Sequence, residues 1–131
     1  MKLHLTTAMD KQLITGYGID LSMTWIEVNK KRYEHSVIVL PDEIITNWKV
    51  ADFSSLSAQN FEAIALLNNT KLRLEVVLLG TGIKHQFVHP SLSLCLTEAG
   101  ISLECMATAA ACRTYNFLMA EGRTVAAALI I

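Results

Sequence analysis

Neither sign of charge dominates this chain: eleven lysines and arginines stand against twelve aspartates and glutamates, a net charge of −1. They are scattered, with no basic stripe to track phosphates, which argues against a nucleic-acid partner. An apolar run long enough for a membrane helix, about 20 residues, is also missing. The longest stretch free of Asp, Glu, Lys and Arg, residues 85–97, carries Pro90 and several polar groups. Lys2, Asp10 and Lys11 break up the start of the chain, so no signal peptide is legible. Cys95, Cys105 and Cys112 form no CxxC pair and no cluster with histidine, and they sit in apolar stretches. That is the pattern of reduced, buried thiols in a cytoplasmic protein. Linkers, internal repeats and low-complexity segments are absent as well.

What is present is apolar: 52% of residues are hydrophobic and 18% charged, over 131 residues. One domain spanning residues 1–131, with a sizeable core, fits that length. Its end is organised as strand, helix, strand. Residues 124–131, Thr-Val-Ala-Ala-Ala-Leu-Ile-Ile, are too few to cross a membrane and too apolar to lie in water. Such a run reads as a strand buried on both faces, which the remaining chain must cover.

Residues 3–28 read as short strands joined by tight turns, with Gly16 and Gly18 flanking Tyr17 to supply positive φ or a bulge. The alternating residues 24–28 lead through Asn29 and Lys30 into a returning strand, which predicts a hairpin. Residues 36–40 form an apolar strand stopped by Pro41. Residues 42–53, with Trp48, are expected to be extended chain. Ser57 caps a helix that shows Phe61, Ile64, Ala65 and Leu67 on one face and ends at Asn68 and Asn69. Residues 72–79 read as a strand closed by Gly80, Thr81 and Gly82. Pro90 suits the first turn of a helix with Leu92, Cys95, Leu96 and Ala99 on one side, and Gly100 stops it. A strand at 101–105, a helix at 109–121 and a strand at 124–130 follow. Two successive β-α-β units imply a parallel core sheet with right-handed crossovers. The early hairpin adds antiparallel strands at an edge or builds a small second sheet.

Chemistry is harder to find. Gly80-Thr81-Gly82 follows a strand, as a phosphate-binding turn does. The third glycine of a dinucleotide fingerprint is replaced by His85, however, and no helix starts at once. A loop where backbones pass closely is the simpler reading. Thr108 is a natural N-cap, and the free N–H groups of Ala109, Ala110 and Ala111 make an anion site if they face a crevice. Helical spacing puts Arg113 and Asn116 on one side, flanking the apolar face of Ala111, Cys112, Tyr115, Leu118 and Met119. Glu104, at the end of the preceding strand, could pair with Arg113. The preferred reading is a satisfied ion pair with capping hydrogen bonds. The functional alternative is a small polar pocket at the strand carboxyl ends, formed by Gly80, Thr81, Gly82, Glu104, Thr108, Arg113 and Asn116 and taking an anion. His85 and His89 lack the further ligands of a zinc site, and no metal is expected. No nucleophile elbow, triad spacing or carboxylate pair is found, so no catalytic residue and no cofactor are assigned.

Three segments nonetheless resemble a known signature: Leu79-Gly80-Thr81-Gly82; residues 104–116, from Glu104-Cys105-Met106 to Arg113-Thr114-Tyr115-Asn116; and Leu118 with Glu121-Gly122-Arg123 and Val125-Ala126-Ala127. Gly16-Tyr17-Gly18, the strand end at Pro41 and Trp48 fit it too. The chain resembles a small domain-of-unknown-function family found in bacteria, archaea and eukaryotes. Its eukaryotic members include a mitochondrial respiratory complex I assembly factor and an adipogenesis-associated protein. The resemblance implies a three-layer α/β fold around a mixed central sheet with an extra β-layer, and brings no established enzymatic activity. The expectation is therefore a non-enzymatic interaction or assembly module linked to respiratory complexes, in the cytoplasm. It would have an unidentified protein partner, and self-association is compatible with it. An anion-binding protein or enzyme is the alternative.

Overall fold

The computed structural model describes residues 11–20, 23–69 and 72–131. The strands expected over residues 3–10 lie outside the described residues. From Ile14 onward, β1 (Ile14–Asp20), β2 (Met23–Val28) and β3 (Lys31–Tyr33) form a three-stranded antiparallel sheet. Asn29 and Lys30 take positive φ of 49° and 73°, the left-handed pair that a two-residue hairpin turn requires. Of the two roles expected of the glycines beside Tyr17, the structure shows the bulge and not the positive φ. A bulge shifts the register between Ile14 and Gly16, but neither Gly16 nor Gly18 has positive φ. Their role is spatial: a Cβ on Gly18 would lie 2.8 Å from the Trp25 ring across the strand pair. The Trp25 ring packs against both glycines, and the Arg32 guanidinium sits 4.1 Å from its ring centre.

The second sheet has the order β5-β4-β8-β6-β7. It comprises β4 (Val37–Val39), β5 (Ile44–Ile45), β6 (Val76–Gly80), β7 (Ser102–Met106) and β8 (Val125–Leu129). β6 runs parallel to both β7 and β8, whereas β4 pairs antiparallel with β8 and β5, so the sheet is mixed. The terminal apolar run is its middle strand, as its composition required, and all of Val125–Leu129 is buried. Alternation then sends Val125, Ala127 and Leu129 to one core, with Val37, Val39, Val76 and Leu78. Ala126, Ala128 and Ile130 go to the other, with Ile38, Leu40, Val77 and Leu79.

Three α-helices are described, besides a 3₁₀ turn at Phe53–Ser55: α1 (Ala58–Ala65), α2 (Leu94–Glu98) and α3 (Thr108–Ala120). Cys112, Tyr115 and Met119 of α3 and Ile14, Ile26 and Val28 of the small sheet close the first core. Phe61 and Ile64 of α1, Leu96 of α2, and Trp48 close the second. The two crossovers run in opposite directions along the sheet, β6 to β7 and then back past β6 to β8. Their helices lie on opposite faces, as two crossovers of the same hand require.

Local signals explain most boundaries. Asn60 Oδ1 accepts the Ser57 N–H at 2.8 Å, so Ser57 does open α1. Gly100 and Gly122 take φ of +75° and +83° and end α2 and α3. After them, Ile101 N–H reaches Leu96 O at 2.9 Å and Arg123 N–H reaches Leu118 O at 3.0 Å, the doubled-back bond that left-handed glycine permits. Two expected boundaries move. Residues 90–92 form a turn, and α2 begins at Leu94 rather than at Pro90. β6 begins at Val76 rather than residue 72, because Asn69 and Asn68 side chains hold Leu72 N and Leu74 N at 2.8 and 2.7 Å instead of a strand partner.

Candidate functional site

The carboxyl ends of β6, β7 and β8 converge where crevices form in open α/β sheets. Gly80 O accepts Ile130 N–H at 2.9 Å and Met106 O accepts Thr81 N–H at 2.8 Å, tying the three ends together. Thr108 completes the knot. Its hydroxyl donates to Ile130 O at 2.7 Å and accepts from Gly82 N–H at 2.9 Å, and its own N–H donates to Gly82 O at 2.8 Å. The expected capping role is therefore corrected: Ala107 is the N-cap of α3, and Thr108 is its first residue, with its side chain committed to neighbouring strands. Thr81 is buried, its hydroxyl 2.5 Å from Lys84 O and also accepting Gln86 N–H at 3.2 Å. Gly80 is a place of close approach, since an added Cβ would lie 2.9 Å from Thr108 Oγ1 and 3.0 Å from Leu129 Cδ2.

Above this knot lies a cleft of about 360 Å³. Tyr17, Ile19, Thr24 and Ile26 of the small sheet form one wall, while Ile83, Ala109, Ile130 and Ile131 face them. The wall is overwhelmingly apolar, whereas the reading from residues expected a polar pocket. Ile19 and Ile83 remain 55% and 69% exposed at its mouth. Ala111 N–H bonds to Ala107 O at 3.0 Å, so of the three N–H groups considered for an anion only Ala109 and Ala110 stay unbonded among the described residues.

The remaining candidates go elsewhere. Arg113 is exposed, donates from Nη1 to the Tyr17 hydroxyl at 2.7 Å and leans over that ring. No ion pair joins it to Glu104. The physical reason is lateral: Arg113 and Asn116 lie on the flank of α3 that faces β1, while Glu104 lies on β7, the far edge strand. Glu104 is exposed and lines a wider depression of about 600 Å³ beside that edge, with Phe87, Val88, Ser93 and Cys105. Asn116 is a splint, its Nδ2 donating to Ile14 O at 2.6 Å and its Oδ1 accepting Ile14 N–H at 3.0 Å. Residue reasoning thus grouped Gly80, Thr81, Gly82 and Thr108 with each other, and the structure does bring those four together. It missed Ile19, Ile26 and Ile83, for which the only signal was branched aliphatics beside turns.

Burial pushes the Cys112 thiol up to about 12 and raises Tyr115, whose hydroxyl donates to Gln12 O at 2.9 Å. Cys95 and Cys105 are also raised by burial. All three thiols are unbridged, and their elevated values disfavour the thiolate needed for nucleophilic work. Among the described residues no three His, Cys, Asp or Glu side chains gather as metal ligands. His89 Nδ1 is 2.8 Å from Ser91 Oγ, and the His85 ring tilts against Phe87. No helix of the described residues is long and apolar enough to cross a membrane.

A family model described as a protein of unknown function (DUF498/DUF598) matches residues 19–130, which include the knot and all of the cleft lining except Tyr17, Gly18 and Ile131. The chain belongs to the DUF498 family. In that family's company, the chain is 34% identical over 93 residues to the mouse (Mus musculus) protein named NADH dehydrogenase [ubiquinone] 1 alpha subcomplex assembly factor 3. The match covers 71% of this chain and 48% of the mouse protein. The chain thus spans about half the length of the assembly factors it matches. It is also 29% identical, over 79% of its length and 80% of the relative's, to a 13 kDa major membrane protein of Francisella tularensis subsp. holarctica (strain LVS). A crystal structure of a Bordetella parapertussis protein shares the DUF498 chain's fold with a TM-score of 0.81 at 35% identity, covering 92% of this chain and 95% of that one.

Proposed function

We propose that this DUF498 chain is a single-domain, non-enzymatic protein-interaction module that serves the assembly of a respiratory complex from the cytoplasm. The observation carrying the reading is the apolar cleft at the strand carboxyl ends, with Ile19 and Ile83 held in water at its mouth. Exposed branched side chains around an apolar depression lose hydration cost when a partner covers them. The named role of the assembly-factor relatives supplies the kind of partner. The lining of that cleft holds no Asp, Glu, His, Lys or Cys side chain to act as acid, base or nucleophile, and Cys112 and Tyr115 are packed in the core on the inner face of α3.

Site-specific photocrosslinking in cells tests this. A crosslinker at Ile83 is expected to capture subunits of a respiratory NADH dehydrogenase, and one at Leu66, 83% exposed on the end of α1, is expected not to. Equal capture at both positions, or capture at Ile83 of proteins unrelated to respiration, overturns the proposal.

A further inference from the structure

We infer that the cleft receives an apolar side chain from a partner segment that carries a carboxylate beside it, and that Arg113 meets this carboxylate. The inference rests on the docking reading above and specifies the chemistry of what docks. Two observations select a polypeptide over a small molecule. A ligand held within about 360 Å³ would leave Ile19 and Ile83 in water, because both project at the mouth. Covering them takes an occupant that continues past the cavity on both sides. The interior matches one or two aliphatic or aromatic side chains, since its walls are Ile26, Ala109, Ile130 and Ile131 with few polar atoms.

Charge selects the flanking residue. None of the lining residues is acidic. Arg113 stands one helical turn beyond Ala109 and touches Tyr17, a wall residue, through a single N–H. A guanidinium has five donors in a planar fork, so an exposed one keeps several for a carboxylate. Lys84 is exposed next to Ile83, and the positive end of the α3 dipole opens at Ala109. A lysine or arginine beside the inserted residue would meet like charge there, and an aspartate or glutamate would meet its complement.

Selection of a random linear peptide library against the full chain decides this, with the Ile83→Glu variant as counter-selection. Ile83 is exposed, so that variant is expected to fold. Enriched peptides are expected to share an apolar residue flanked by Asp or Glu. Binding of a synthetic enriched peptide should shift the amide signals of Gly82, Ala109 and Ile131. It should weaken at least about tenfold in Ile83→Glu, since a buried isoleucine contact of that size is lost. It should weaken about three- to fivefold in Arg113→Gln and further with added salt, as a rim charge pair does. Enriched peptides lacking acids, or indifferent to Arg113→Gln, overturn the inference. They would leave the docking reading standing if Ile83 still captures respiratory subunits. Decanoate shifting the same amides while no Ile83-dependent peptide emerges also overturns it and marks a small-amphiphile pocket.

Discussion

One hydroxyl, that of Thr108, serves three parts of the chain at once: the loop after β6, the start of α3 and the end of β8. Thr108→Val keeps the shape and removes both bonds, leaving Gly82 N–H and Ile130 O without partners in a half-buried place. The expected cost is about 1–3 kcal/mol in denaturant titration, with Thr108→Ser near the starting value, because the penalty belongs to the stranded polar groups. If Thr108→Val is neutral while Thr108→Ser is not, the methyl packs and the hydroxyl is incidental. Gly80→Ala probes the same place from below. Its methyl would press on the Thr108 backbone, which cannot swing away, and on the end of the buried Leu129 side chain, and overpacking of this kind costs about 1–3 kcal/mol. Signature residues that read as a possible phosphate loop are thus explained by close packing, which the sequence could show only as small residues next to a threonine.

Among the elements, α3 bears the most relations, and its two flanks differ. The flank toward β1 holds the small sheet through Asn116 to both polar groups of Ile14, and through Tyr115 to Gln12 O. Asn116→Ala should lower stability by about 1–3 kcal/mol and speed amide hydrogen exchange in β1 and β2 more than in β6. Arg113→Gln should cost under about 1 kcal/mol, being exposed. Equal exchange in all strands would show that Asn116 does not splint the sheets. The helical period had correctly set Arg113 beside Asn116, yet it could not say which neighbour that flank faced. Glu104, close in sequence, was the available guess, and Tyr17, 96 residues away along the chain, was the answer. A second long-range contact fixes the start of β8. Glu75 accepts Thr124 N–H at 2.8 Å and Arg123 Nε at 2.9 Å, and these bonds, the backbone one first, hold its carboxyl below the ordinary value. A depressed folded-state value means stability that is present above the unfolded value and lost as pH falls through the folded one. Glu75→Gln should therefore flatten the acid limb of the melting-temperature profile, and an unchanged limb would assign acid sensitivity to other groups.

At the scale of the whole molecule, two cores meet on one strand. Patterning alone placed that strand, because an uninterrupted apolar run of β8's length has no other soluble use than burial on both faces. Glycine punctuation located the crossovers, although Pro90 marks a turn ahead of α2 and not its first turn, and the alternation of residues 24–28 located the hairpin. What could not be read was where the small sheet would dock and that a cleft would open beneath it, since both depend on pairings across roughly the full chain. The same topology makes the last strand the one most costly to lose. Val125, Leu129 and Ile130 are at most 3% exposed, and at about 1.5–3 kcal/mol for each buried side chain their contribution rivals the roughly 5–15 kcal/mol of a typical domain. Removing residues 124–131 would also strip ladder partners from β4 and β6 together and uncover both cores. The shortened chain is expected to show no cooperative thermal transition, and to regain one when a peptide of residues 124–131 is supplied. A cooperative melt without the peptide would mean that β4 and β6 can close on each other, and that β8 is dispensable to the fold.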